Sequence, residues 1–89
     1  MVEVTLTSGR AVRVRSLSWD DVEWHAGREE QSLGQLGERR ILVRETLERL
    51  YGEDVFAEAA ESNADVLALY NATIRHSYGM GLEEEIKNS

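Results

Sequence analysis

The chain has 89 residues with no cysteine and no proline, and its 17 acidic residues against 10 lysines and arginines give a net charge of -7. That length builds one compact domain with one modest core, and the charge argues against unspecific binding to nucleic acid or anionic lipid. Disulfides and thiolate ligands are excluded, and no stretch approaches the roughly 18 apolar residues of a membrane span, so an intracellular, cytoplasmic location is expected.

Residues 2–15 read as a β-hairpin. Val2, Val4 and Leu6 share one face of a first strand, and Val12 and Val14 share one face of a second, because side chains alternate with period two. A two-residue turn at Ser8-Gly9 would pair Val4 with Arg13 and mix the faces. A three-residue loop, Thr7-Ser8-Gly9, with Gly9 left-handed, pairs Val4 with Val12, Val2 with Val14 and Glu3 with Arg13, and leaves one apolar face for helices to cover.

The rest reads as helix. Ser18 is an N-cap, with Asp20 and Asp21 in the first turn, and a helix is predicted from about Trp19 to about Glu30, weakened late by Gly27. Gly34 and Gly37 interrupt the chain. From Gly37 to Tyr51 a stripe of Leu36, Val43, Leu47 and Leu50 predicts a second helix, with surface pairs Arg44–Glu48 and Glu45–Arg49 and a stop at Gly52. Val55, Phe56, Ala59 and Ala60 make a short amphipathic turn or two. Ser62, with Asn63 as a competing cap, opens a last helix that turns Val66, Leu67, Tyr70, Thr73 and Ile74 inward and closes at Gly79. The fold class is therefore α+β, mainly helical: an N-terminal β-hairpin followed by three to four helices. Residues 1–79 form the single domain, and 80–89 an acidic, flexible C-terminal tail.

Charge is unevenly spread. Arg10, Arg13 and Arg15 dominate the hairpin, whereas residues 51–65 carry Glu53, Asp54, Glu58, Glu61 and Asp65 with no base, a polarity suited to a solvated acidic face or to head-to-tail self-association. The arginines from Arg39 to Arg49 are offset by Glu38, Glu45 and Glu48 to +1, so no nucleic-acid stripe is expected.

Few residues suggest chemistry. Asp21, His25 and Glu29 recur every four residues and share a helix face that suits two or three metal ligands, but a zinc site needs a further ligand at depth and His76 belongs to another helix. A solvated face is the expectation, with no metal, no cofactor and no catalytic residue, since neither histidine has an evident partner. Trp19 and Trp24, five apart, point to different sides of their helix: one packs on the hairpin and the other is a candidate partner contact, core packing being the first expectation for both. Tyr70 and Tyr78 are expected to pack with solvated hydroxyls.

The run Val4-Thr5-Leu6-Thr7-Ser8-Gly9-Arg10-Ala11-Val12-Arg13-Val14-Arg15, followed by Leu17-Ser18-Trp19-Asp20-Asp21, and more loosely Leu67 to Gly79, resembles the small tail assembly chaperones of tailed bacteriophages and prophages. The likeness covers about half the chain and is one of layout. It implies a non-enzymatic, acidic, mainly helical protein of the host cytoplasm that binds the tape measure protein during tail morphogenesis, with no catalytic residues to carry over. Many such genes carry a programmed frameshift near their end, and Ile86-Lys87-Asn88 is compatible with an adenine-rich slippery codon run. A client groove is expected between the hairpin and the helices, edged by Trp19 or Trp24, Val22 and Tyr70. The competing expectation is an acidic regulatory module, antitoxin-like or DNA-mimicking, that covers a basic partner surface with Glu53 to Asp65 and Glu83 to Glu85.

Overall fold

The computed structural model describes residues 2–79; the acidic tail expected over 80–89 lies outside the described residues. Strands β1 (Glu3–Thr5) and β2 (Ala11–Arg13) form an antiparallel hairpin, followed by helices α1 (Trp19–Gln31), α2 (Leu36–Tyr51), α3 (Glu53–Ala59) and α4 (Asn63–Ser77). The α+β, mainly helical class and the hairpin-first order are as the sequence predicts.

The hairpin register is Glu3 opposite Arg13, Val4 opposite Val12 and Thr5 opposite Ala11. The loop has three residues: the Gly9 N–H donates to the Leu6 carbonyl and the Leu6 N–H to the Arg10 carbonyl, each at 2.8 Å. Gly9 has φ +97°, a conformation that glycine adopts without a Cβ penalty. Leu6 and Val12 thereby reach a core of Leu47, Ala59, Leu69 and Tyr70, with Val4, Val43, Val55, Phe56, Val66 and Ile74 packed around it.

The hairpin loop is fastened to the acidic run. The Asp65 carboxylate accepts from the Thr7 N–H at 2.9 Å and the Thr7 hydroxyl at 3.1 Å. Glu58 accepts from the Ser8 hydroxyl at 2.9 Å and lies 3.4 Å from the Arg10 guanidinium. Two of the carboxylates expected on a free acidic face are thus bound within the chain.

Serine side chains cap the N-termini of α1 and α4, whereas α2 and α3 begin without a side-chain cap. Ser18 and Ser62 accept from the N–H groups of Asp21 and Asp65, at 3.1 and 3.4 Å, so Ser62 rather than Asn63 caps α4. Gly52, at φ +90°, joins α2 to α3 without a loop, its N–H closing on the Glu48 carbonyl and its carbonyl accepting from Phe56.

Several faces differ from expectation. In α4 Leu69 is fully buried and Leu67 is 44% exposed; in α2 Leu42 and Thr46 are buried with Leu47 and Leu50, while Leu36 is 80% exposed. Thr46 and Thr73 tolerate burial because each hydroxyl donates to the carbonyl four residues back, at 2.7 Å. Arg44–Glu48 forms at 3.4 Å, but Glu45 and Arg49 turn to α1, pairing with Arg28 at 3.0 Å and Asp21 at 2.7 Å. Both join α2 to α1, which a pattern read within one helix does not reveal.

Neither tryptophan joins the core. Trp19 is 87% exposed at the start of α1, and Trp24 is half-buried beneath the Arg49 guanidinium, 4.7 Å from its ring centroid. Among the described residues, no helix is long and apolar enough to cross a membrane.

Candidate functional site

An open groove of about 410 Å³ lies between α2, α3 and α4. The α2 wall presents Leu36, Arg39, Arg40, Val43 and Arg44; the α4 wall presents Asn63, Val66, Leu67, Tyr70 and Asn71; Phe56 and Ala60 close the α3 side. Local sequence accounts for both walls. Arg39 to Val43 and Arg40 to Arg44 are one helical turn apart, as are Asn63 to Leu67 and Leu67 to Asn71, so each helix gives the groove one continuous edge. Leu36 and Leu67, left out of the core, form its apolar rim.

Of the residues singled out from the sequence, Tyr70 lines this groove, whereas Trp19, Val22 and Trp24 belong to α1 and do not. Between hairpin and helices, Leu6 and Val12 pack into the core, and the cavity that borders the hairpin is lined by Arg10, Tyr51, Gly52, Glu53, Asp54 and Val55 rather than by a tryptophan, Val22 or Tyr70. Of the large apolar residues left exposed, Leu36 and Leu67 line the groove, and the helical stripe of the sequence does not separate them from those that are buried.

The rim is charged on one side. The Arg44 guanidinium stacks over Phe56, 5.6 Å from the ring centroid, and its Nε lies 3.4 Å from Glu48. Arg39 and Arg40 have no ion-pair partner among the described residues.

Behind the groove, Tyr70 ties α4 to α1. Its hydroxyl lies 2.6 Å from His25 Nε2, so it is buried rather than solvated. His25 is 0% exposed, and Nδ1, without a hydrogen-bond partner, faces a Glu29 oxygen at 3.7 Å. Burial lowers the imidazole pKa below its ordinary value, against the pull of Glu29. Burial and the Glu29 charge push the Tyr70 hydroxyl up to about 12.

The Asp21/His25/Glu29 series is therefore no solvated face. Asp21 is held by Arg49, whose hydrogen bond lowers the carboxyl pKa, and His25 is interior. Among the described residues, no group of three or more His, Asp or Glu side chains is placed to hold a metal ion. A second network orders the hairpin exit: the Arg15 N–H donates to the Tyr51 hydroxyl at 3.0 Å, which in turn lies 2.7 Å from Thr73 Oγ1. Thr73 gives its own proton to the Leu69 carbonyl, so Tyr51 is the donor to Thr73. What the groove offers chemically is apolar surface with cations along one edge.

No protein-family model, curated protein or solved structure matches this chain.

Proposed function

We propose that this chain is a non-enzymatic tail assembly chaperone of a tailed bacteriophage or prophage, which holds helical segments of the tape measure protein in the α2–α3–α4 groove while the tail forms. The observation that carries the reading is the groove itself, an apolar channel walled by two helices with Leu36 and Leu67 exposed on its rim. A channel of that kind accepts the apolar stripe of an amphipathic helix, and the surrounding net charge of -7 keeps the complex in solution. The hairpin layout that resembles this family adds support, and with it the host cytoplasm as the place of action.

The acidic regulatory module has less behind it. Glu58 and Asp65, which it would present to a basic partner, are bound to the hairpin loop. Retention on a basic protein, lost at moderate salt, would restore it.

Co-expression with the tape measure protein of the same genome tests the proposal. The soluble yield of tape measure protein rises with the wild-type chain and returns to baseline with Leu67→Glu, a rim substitution that leaves the thermal midpoint unchanged. Equal yield with and without the wild-type chain would contradict it.

A further inference from the structure

The two walls of the groove differ in charge, and the difference specifies an occupant. The α4 wall offers the neutral amides of Asn63 and Asn71, whereas the α2 wall carries Arg39, Arg40 and Arg44. In a chain of net charge -7 this is a local reversal of sign. Glu48 offsets Arg44, but Arg39 and Arg40 have no carboxylate partner among the described residues. Arg39 also closes the first turn of α2, where the helix dipole disfavours positive charge.

We infer that the groove takes an amphipathic helix whose apolar stripe is bordered on one side by carboxylates, and that Arg39 and Arg40 set its orientation by pairing with them. The inference rests on the reading of the groove as a client site and adds the chemistry of the client. Apolar side chains enter between Val43, Phe56 and Val66, and the acidic flank lies along α2. The opposite orientation would put carboxylates against the amides of α4 and leave both arginines unmatched. Exposed pairs of this kind give modest affinity but strong selection of partner and orientation, and they weaken with salt. The net negative charge of the chain disfavours such a helix elsewhere, and the arginine-bearing hairpin, the other cationic surface, lacks the apolar groove.

Two labelled, stapled peptides with the same leucine stripe test this by fluorescence anisotropy, one with glutamates along one flank and the other with lysines at the same positions. The acidic peptide is expected to bind about tenfold more tightly at low salt, with the gap closing at high salt. Arg39→Glu with Arg40→Glu reverses the order, and Arg39→Gln with Arg40→Gln removes the preference without reversing it, while Arg13→Glu on the hairpin changes neither affinity. Equal binding of both peptides, indifferent to these substitutions, would overturn the charge rule and leave the groove reading standing. Binding of neither would overturn both. If the acidic peptide binds only after Glu83→Gln, Glu84→Gln and Glu85→Gln, the occupant is this chain's own acidic segment and a separate partner is excluded. If the peptide-free protein self-associates and Arg39→Glu with Arg40→Glu makes it a monomer, the occupant is a second copy, which also overturns the inference.

Discussion

The Tyr70 hydroxyl lies 2.6 Å from His25 Nε2, in a place where the imidazole has no contact with solvent. With Tyr70 donating to Nε2, the imidazole proton sits on Nδ1 and points toward the Glu29 carboxylate, 3.7 Å away. One contact thus joins α1 to α4 and fixes a side chain of the groove wall.

The pair makes stability depend on pH at both ends. Above pH 6.5 His25 is neutral in the folded and unfolded chain alike; below it, the unfolded chain takes up a proton that the buried imidazole resists, so stability falls as pH drops. Tyrosine in the unfolded chain ionises near pH 10, whereas Tyr70 keeps its proton to about 12, so stability falls again as pH rises through that interval. Thermal midpoints measured across pH should show a plateau between these limits. A further loss below pH 3.8 comes from Asp21, whose carboxyl is lowered chiefly by its hydrogen bond from Arg49.

Tyr70→Phe leaves His25 Nε2 without its donor and should cost about 1–3 kcal/mol by chemical denaturation, and His25→Leu should cost a similar amount by stranding the Tyr70 hydroxyl. The double variant should cost clearly less than the sum, because both polar groups leave together, and should lose the decline below pH 6.5. Strict additivity would show that the contact contributes nothing to stability.

Neighbouring leucines of α4 should behave oppositely. Leu69→Ala empties a fully buried site and should cost about 2–5 kcal/mol, whereas Leu67→Ala, at a position 44% exposed, should stay within about 0.5 kcal/mol and weaken peptide binding instead. A large stability loss at Leu67 would place the α4 core face wrongly.

Much of this was legible in the sequence, and the exceptions have physical causes. The hairpin register followed from Val4, Val12 and Gly9, since an odd loop alone puts the valines on one face. Leu67 and Leu69 were harder: Leu69 lies three residues after Val66 and four before Thr73, Leu67 three before Tyr70, and both extend the same stripe. Leu6, Val12 and Leu47, which pack with Leu69, decide between them, and all three are distant in sequence. His25 reads as a surface residue until Tyr70, 45 positions away, is brought to it. The cationic rim was hidden by averaging: summed over α2 the charge nearly cancels, yet Arg44 and Arg49 have carboxylate partners while Arg39 and Arg40 have none among the described residues.

The fastening of the hairpin to α4 gives another test. Asp65→Ala removes the acceptor of the Thr7 N–H and hydroxyl and should cost about 1 kcal/mol, the scale of exposed hydrogen bonds. Hydrogen exchange at the Thr7 amide should quicken by more than global destabilisation accounts for, while the Asp21 amide, capped by Ser18, changes only with global stability. Unchanged exchange at Thr7 would remove Asp65 from the account of how the loop is held.

The most direct measurement is chemical-shift mapping of the full chain titrated with a helical segment of the tape measure protein. The account predicts the largest shifts at Val43, Phe56, Val66, Leu67 and Tyr70, around the groove between α2, α3 and α4. Shifts centred instead on Trp19, Val22 and Trp24 of α1, or no shifts at saturating client, would contradict it.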